Sequence, residues 1–483
     1  MQALHGVKWV TVANWSTQAT GFVTMVVLAR LLLPDEFGVY SIGSALVMVM
    51  AGLSQIGLPL ALVQRGEIVE GHFHSAFWCV TVLALLLLLA SVLGRDAIAA
   101  AIGTPELAAL VPVLALSLPL LAMAGIFNAP LMRSLDFRRS AIATAAGALA
   151  GAVAAILMAL AGFGIWSLAA QSLLGSSLTL GALVAFSPYR PSWRFSKRRL
   201  RELWGFGSLS MAGDFVALID MRLGAILLGG LLGPRAAGLY AMSRRVLDMG
   251  QQVFVASVGQ VAMPAFSRLA NELARMRTAY LNAIQSVAAL TVPLFGLLAI
   301  MSREAVHIFL GPQWIDGAPV LQFLALATLV QSYAWITSSA LAALGHASLR
   351  LAIQLLSLAL SLAVLLSTWR YGLTIVATGF LIKAILMHFA MLLAITRVAR
   401  IPLRRYLATV APITLVGGVA LALAYALRMA LEGQISAIPL VPACVVPAGV
   451  LYLLGLRLLA PSLVRRISGY VLELAAPVTG KAL

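Results

Sequence analysis

The sequence predicts an all-α polytopic membrane protein, and three observations carry that expectation. The chain has 483 residues, of which 62% are hydrophobic and only 10% charged. Soluble globular domains carry about 25% charged residues. Apolar runs such as 79–93 are unbroken, where transmembrane β-strands would alternate apolar and polar residues. Such runs recur along the chain at roughly the 20-residue length that a helix needs to cross a bilayer. A water-soluble enzyme, a disordered chain and a disulfide-stapled secreted domain are excluded on the same grounds.

Polar punctuation divides the chain into fourteen candidate spans: 9–33, 39–64, 75–94, 107–131, 140–163, 165–187, 205–232, 238–263, 281–303, 317–344, 348–370, 373–397, 408–430 and 436–459. The first run is too long for the apolar core of a cleavable signal peptide and lacks a clear small-residue cleavage site, so it is expected to insert and stay. Glycines at 162 and 164, and Tyr371 with Gly372, divide neighbours that would otherwise fuse. Cys79 and Cys444 both fall in apolar stretches. There a cysteine acts as a small apolar residue, and no redox or metal role is expected.

Orientation follows from the Lys and Arg bias of short loops. With the N-terminus placed in the cytoplasm, most of the 33 Lys and Arg residues fall on the inner side. Arg30, Arg95, Arg235, Arg303, Arg370 and Arg428 fall outside, and Arg222, Arg244, Arg245 and Lys383 inside spans. Both termini are therefore expected to be cytoplasmic. The net charge of +17 is then mainly a topology signal. Nucleic-acid binding is not expected, because no basic domain with interleaved aromatics exists outside the spans. The basic run 190–201 reads chiefly as the loop that fixes topology. Contact with anionic lipid head groups is the alternative.

An internal repeat organises the chain. Residues 28–40, LARLLLPDEFGVY, and 228–240, LGGLLGPRAAGLY, share Leu28/Leu228, Leu31/Leu231, Leu32/Leu232, Pro34/Pro234, Gly38/Gly238 and Tyr40/Tyr240. One copy joins spans 1 and 2, the other spans 7 and 8. Six spans per half is an even number, so both halves enter the membrane from the same side, as a parallel repeat. The expected organisation is a six-helix bundle over 1–187, a basic cytoplasmic linker over 188–204, a second bundle over 205–400, and two further helices with a tail over 401–483.

The sequence holds no nucleophile elbow, P-loop or metal-ligand spacing, so no enzyme, metal or cofactor is expected. His72 and His74 fall in a cytoplasmic loop and read as solvated. Ionisable residues at bilayer depth are functional candidates. They are Asp214, Asp220 and Arg222 in span 7, Arg244, Arg245 and Asp248 in span 8, and Lys383 with His388 in span 12. Asp220 and Arg222 lie on nearly opposite faces of one helix, so each needs a neighbouring helix or a wet cavity. Arg244 and Asp248 are spaced to pair on one face. The alternative for the deep charges is interhelical ion pairing. Thr11, Asn14 and Gln18 form one polar stripe on span 1, facing either a lumen or a neighbouring helix. A cationic cavity suits an anionic substrate, since arginine binds phosphate bidentately. Arg222, Arg244, Arg245, Lys383, Asn14 and Gln18 are the substrate-binding candidates. Asp220, Asp214 and Asp248 are candidates for carrying a coupling proton or Na+.

Several motifs resemble the polysaccharide-transport branch of the MOP (MATE-like) flippase superfamily, the Wzx-type and colanic-acid-exporter-like proteins. They are Leu28-Ala29-Arg30-Leu31-Leu32, Pro34, Phe37-Gly38 and Gln64-Arg65 in the first half. In the second half they are Asp220, Leu231-Leu232-Gly233, Ala237-Gly238-Leu239-Tyr240, Pro264-Ala265-Phe266-Ser267-Arg268-Leu269, Gly311-Pro312-Gln313-Trp314 and Ala343-Leu344-Gly345. The resemblance covers most of 1–400. It implies a V-shaped pair of six-helix bundles working by alternating access in a bacterial inner membrane. It also implies movement of an undecaprenyl-diphosphate-linked oligosaccharide, with membrane lipids, a polysaccharide polymerase and glycosyltransferases as partners. The first half's spans hold few arginines, unlike lipid II flippases. The alternatives are an exporter of drugs or of another lipid-linked precursor in the same superfamily, a non-transporting structural membrane protein, and a membrane-embedded glycosyltransferase or polymerase, which no loop here is long enough to supply with a catalytic domain. A cationic cavity disfavours the usual cationic drugs.

Overall fold

The computed structural model describes residues 2–204, 208–461 and 463; the side chains at 2–14, 204, 208–210, 256, 257, 260, 261 and 264 lie outside the description. In chain order the α-helices are α1 (Gln2–Leu31), α2 (Pro34–Gln55), α3 (Leu58–Gln64), α4 (Glu70–Leu93), α5 (Arg95–Ile102), α6 (Leu107–Ala115), α7 (Ser117–Arg133), α8 (Phe137–Leu160), α9 (Ile165–Phe186) and α10 (Lys197–Trp204). They continue as α11 (Ser208–Leu232), α12 (Pro234–Gly250), α13 (Ala256–Arg268), α14 (Leu273–Ile300), α15 (Ser302–Ala305), α16 (Ala318–Ala343), α17 (Ala347–Thr368), α18 (Leu373–Val398), α19 (Leu403–Leu431) and α20 (Ala437–Leu459).

Among the described residues, 12 helices are long and apolar enough to cross a membrane, counting α6 and α7 as one span. That is two below the expected fourteen. The two remaining stretches are helical as well. α1 covers most of 9–33, and 238–263 runs through α12 and α13, interrupted by a π-helical turn at Gln251–Val255. The α6–α7 break has a local cause, because Pro119 cannot donate to the carbonyl of Ala115. The predicted divisions at 162–164 and 372 coincide with Gly162, Gly164 and Gly372, all at positive φ.

The chain forms two compact units. The first comprises Met1–Arg245, Phe309–Val320 and Leu351–Gly379, and the second Val246–Ile308, Leu321–Arg350 and Phe380–Leu483. The first unit has a continuous core that includes Ile42, Leu58, Leu62, Val80, Leu107, Leu110, Leu114, Leu118 and Ile126. Its α8–α9 seam closes on small residues. A Cβ at Gly151 would lie 2.5 Å from the carbonyl oxygen of Gln171 and 3.3 Å from Cα of Gly175. Helices in lipid associate through such close approach, because lipid tails are as apolar as leucine. In the second unit α14 packs on α19 and α19 on α20. There Tyr452 donates to the carbonyl of Ala289 at 2.9 Å, and Arg428 pairs with the buried Glu304 at 3.0 Å. Large apolar side chains face outward on many helices, among them Leu93, Leu160, Leu366 and Leu458, as a hydrocarbon solvent allows.

The two repeat copies meet inside the first unit. A Cβ built at Gly38 would fall on the carbonyl oxygen of Pro234, and one at Gly238 would fall on that of Pro34. Each copy thus offers its glycine to the other copy's proline, a reciprocal contact that only Cα-thin residues permit. The third motif segment joins them. Gln313 Nε2 and Trp314 Nε1 each donate to the carbonyl of Ala29 at 2.7 Å. Ala29 lies in the last turn of α1, where helix carbonyls have no intrahelical partner. Trp314 also sets its ring edge-on to Phe37, with centroids 5.4 Å apart.

Candidate functional site

α11 sends two ionisable side chains in different directions, as the angle between positions two apart requires. Asp220 is held by α17: Ser357 Oγ donates to its Oδ2 at 2.6 Å, and Ser361 Oγ donates to its Oδ1. The two serines are four residues apart and share one helix face. The hydroxyl oxygens keep lone pairs that could join the carboxylate in holding a small cation, and the carboxylate can take up a proton.

Arg222 takes the other direction. Its Nε is buried and has no hydrogen-bond partner among the described residues. Tyr40 of α2 lies within electrostatic reach of both Arg222 and Arg245. The first unit therefore gathers two guanidinium groups and a phenol from three helices, α11, α12 and α2. A buried N–H donor without an acceptor is costly. A bound phosphate would remove that cost, with the guanidinium fork matched to two of its oxygens.

The other candidates are placed less tightly. Gln18 is half-buried on α1, and Asn14, like Thr11, lies outside the described side chains. Asp214 is exposed on α11, and Arg244 and Asp248 are half-buried on α12. Lys383 is half-buried on α18 in the second unit, five residues before His388, whose ring stands among Tyr333, Phe389 and Tyr406. Among the described residues no group of His, Cys, Asp and Glu could hold a metal ion. Cys79 and Cys444 are free thiols.

Sequence reasoning missed Tyr40, Ser357 and Ser361 as site residues. A signal for the serines was present. Gln354, Ser357 and Ser361 repeat on α17 the i, i+3, i+7 spacing of Thr11, Asn14 and Gln18 on α1. Tyr40 was visible only as a member of the repeat.

His72 and His74 correct the expectation of solvated loop histidines. They occupy the first turns of α4 with 5% and 7% exposure. His74 Nδ1 accepts from the amide of Ser192 at 3.2 Å and lies 3.1 Å from the Tyr189 hydroxyl. His72 Nδ1 accepts from the amide of Val69 at 3.1 Å, so its Nε2 carries the proton toward Glu202 Oε2, 3.2 Å away. Arg65 reaches the same oxygen at 3.1 Å, and Arg198 lies 3.3 Å from the other. The stretch 188–204, expected as a linker, is thereby strapped to α3 and α4. Trp78 Nε1 donates to the carbonyl of Ser192 at 2.9 Å, and the Trp78 and Trp193 rings stack 4.3 Å apart.

The sequence pattern described as "Polysaccharide biosynthesis protein" matches residues 27–319. The chain is 32% identical over 325 residues to the succinoglycan biosynthesis transport protein ExoT of Rhizobium meliloti (strain 1021), covering 67% of this chain and 65% of that protein. It is 24% identical over 337 residues to the lipopolysaccharide biosynthesis protein WzxC of Escherichia coli (strain K12), covering 68% of each. The fold is similar to that of the lipid II flippase MurJ in an inward closed conformation. The TM-score is 0.74 at 14% identity, over 94% of this chain and 99% of the other. A multidrug resistance MATE transporter of the MOP superfamily in an inward-facing conformation gives 0.64 at 14% identity, over 81% and 98%.

Proposed function

This chain belongs to the family of polysaccharide biosynthesis proteins, and from that premise we propose that it carries a lipid-linked oligosaccharide across the bacterial inner membrane. The observation that carries the reading is the buried Nε of Arg222 with no partner among the described residues, within electrostatic reach of Tyr40, which Arg245 also reaches. A diphosphate linker between lipid and sugar supplies acceptor oxygens and negative charge for such a donor. The names of the relatives, a succinoglycan transport protein and a lipopolysaccharide biosynthesis protein, support the same substrate class. On this reading the cycle is alternating access of the halves 1–187 and 205–400, with the helices of 401–483 accommodating the lipid tail. Both termini lie in the cytoplasm. The enzymes that supply and consume such a substrate, glycosyltransferases and a polymerase, are its functional partners.

Asp220 with Ser357 and Ser361 is the proposed coupling site for a proton or Na+. Occupation by either changes the charge of α11 two residues from Arg222, which links ion binding to anion binding on one helix.

The test is a chromosomal deletion scored for surface polysaccharide, complemented with the wild-type chain, Arg222→Ala, Arg222→Lys and Asp220→Asn. Loss of surface glycan in the deletion and in Arg222→Ala, with partial return in Arg222→Lys, is expected. A deletion with unchanged surface glycan in a strain lacking a second copy refutes the function. Full complementation by Arg222→Ala refutes the site. Loss of a set of drug resistances instead of glycan assigns the chain to multidrug export.

A further inference from the structure

We propose that the strap formed by residues 189–204 is a seat for the phosphate head groups of anionic membrane glycerophospholipids. This inference does not depend on what the protein transports. Three observations converge on it.

The first is position. The strap joins α9 and α11, both long and apolar enough to span, so it lies at the level where membrane meets water.

The second is which of its faces is occupied. The inward side is fully committed to protein. Tyr189 is buried against His74 and Phe127. Ser192 bonds to both His74 and Trp78, and the amide of Ser196 donates to Ser75 Oγ at 3.0 Å. Leu203 is fully buried and Leu200 packs on the same core. The apolar face of α10 is therefore unavailable to lipid. A helix that dips its own apolar face into the bilayer is excluded.

The third is what remains outward. Lys197, Arg198 and Arg201 stand at i, i+1 and i+4, an arc of about 100° on α10, and all three are exposed. Together with Glu202 they line an open recess of about 440 Å3. Glu202 pairs with Arg198 at 3.3 Å as well as with Arg65 and His72 on the protein side, so its single negative charge leaves the arc of Lys197, Arg198 and Arg201 net positive. Four residues before α10, on the same strap, Trp193 is 88% exposed although one ring face stacks on Trp78. Phe195, two residues further on, is exposed as well.

A cationic recess and exposed aromatic rings on one strap at the membrane boundary have the chemistry of a head-group site. The phosphate sits among guanidinium and ammonium groups, while the rings rest at the glycerol level. Electroneutral phosphatidylcholine offers no net charge to this arc. Phosphatidylglycerol offers a full negative one. Basic residues near an anionic leaflet each favour binding by about fivefold at moderate salt. The effect decays as the Debye length shortens from about 8 Å at physiological salt to about 4 Å at 0.5 M.

The experiment uses the full chain in nanodiscs of phosphatidylcholine with a minority of phosphatidylglycerol. Brominated acyl chains are placed on one lipid or the other. The Trp193 signal is isolated as the difference between the chain and its Trp193→Phe variant. Quenching is expected to favour brominated phosphatidylglycerol at least fivefold over brominated phosphatidylcholine. That preference is expected to collapse at 0.5 M salt and in Lys197→Gln/Arg198→Gln/Arg201→Gln. Equal quenching by the two lipids overturns the proposal. So does quenching by neither, and so does a preference that survives both salt and the triple variant. If the triple variant misfolds, the salt series on the unaltered chain decides alone.

Discussion

Replacing Gly38 with alanine tests the reciprocal repeat contact, and the sign of the effect is the informative part. In an unobstructed helix interior, glycine to alanine stabilises by up to about 1 kcal/mol, because the unfolded chain loses freedom and the helix gains propensity. At Gly38 the added Cβ falls on the carbonyl oxygen of Pro234 and comes within 3.0 Å of its Cα. At Gly238 the Cβ falls on the carbonyl oxygen of Pro34 and comes within 3.0 Å of the amide nitrogen of Gly38. The obstructing atoms are backbone, so no rotamer change relieves them, and α2 and α12 must part by about 1 Å or more. Overpacking that displaces backbone costs about 1–3 kcal/mol. Set against the propensity gain, Gly38→Ala and Gly238→Ala should each destabilise by about 1–2 kcal/mol. Gly181 in α9 and Gly418 in α19 have nothing within 4 Å of a built Cβ, so their alanine variants should be neutral or stabilised. Once one Cβ has parted the seam the second meets less resistance, so the double variant should cost less than the sum. Thermal unfolding of the purified protein in detergent measures all five. Equal tolerance of alanine at positions 38, 238, 181 and 418 refutes the contact, and strict additivity in the double variant refutes the shared seam.

Four further outcomes are expected. Arg428→Ala leaves Glu304, 5% exposed, without its 3.0 Å partner, and should destabilise by about 3 kcal/mol. Arg428→Met with Glu304→Gln should recover most of that loss, and thermal unfolding of the pair distinguishes lost charge from lost packing. Trp314→Phe keeps the ring but removes the donor to Ala29 and should cost about 1 kcal/mol, read in the same assay. The hydrogen bond from His72, then the charges of Arg65, His72 and Arg198, hold the Glu202 carboxyl below the usual carboxylate range. A depressed pKa stabilises the charged form, so the tie from α10 to α4 is complete above about pH 4.3 and is lost as pH falls through the lowered value. Amide exchange over 189–204, corrected for intrinsic rates, should stay protected at pH 6 and lose protection toward pH 3, and unchanged protection at pH 3 contradicts it. Ser357→Ala/Ser361→Ala removes the two hydroxyl donors from Asp220, so surface-glycan export should fall several-fold and its dependence on pH or Na+ should shift. Export with an unaltered ion dependence removes these serines from the coupling site.

Spans were legible because a single physical demand sets them. Every backbone polar group must be satisfied within a segment about 20 residues long, and apolar runs of that length mark themselves. The breaks at Gly162, Gly164 and Gly372 were legible for a related reason, since each needs positive φ. Partnerships across the fold were not. Nothing local to Asp220 points to Ser357, which lies 137 residues away. The charge pattern also misled in one respect. Basic residues counted as orientation signals turn out to close helix ends. Arg133 donates to the carbonyls of Leu62, Arg65 and Gly66 at the end of α3, and Arg190 to those of Val184, Ser187 and Tyr189 at the end of α9. A cation at a helix C-terminus answers both the orphan carbonyls and the dipole. One residue type thus serves topology and capping at once, and only coordinates separate the two.

The motifs that carry the family resemblance are poor in chemistry, and the structure gives a reason. Ala29, Pro34, Gly38, Pro234, Gly238, Gln313 and Trp314 converge in one unit. Each supplies a steric or capping need: a thin Cα, a proline at a helix start, an indole or amide donor for an exposed carbonyl. Arg222, Arg245 and Asp220 supply charge instead: Arg245 lies on α12, which the glycine contact joins to α2, Arg222 and Asp220 lie on α11, which runs into α12 at Gly233, and α2 carries both Gly38 and Tyr40. The spacing between Gly38 and Tyr40, and between Gly238 and Arg245, fixes the phenol and the guanidinium relative to the seam. A change that parts α2 from α12 must therefore alter the distance from Tyr40 to Arg245. This predicts that Gly38→Ala weakens anion binding by the purified protein, while Gly181→Ala leaves it unchanged. Inorganic diphosphate serves as the probe, and its affinity is followed by calorimetry in detergent. A Gly38→Ala protein that unfolds earlier yet binds diphosphate as the wild type does would show that seam and site are mechanically independent.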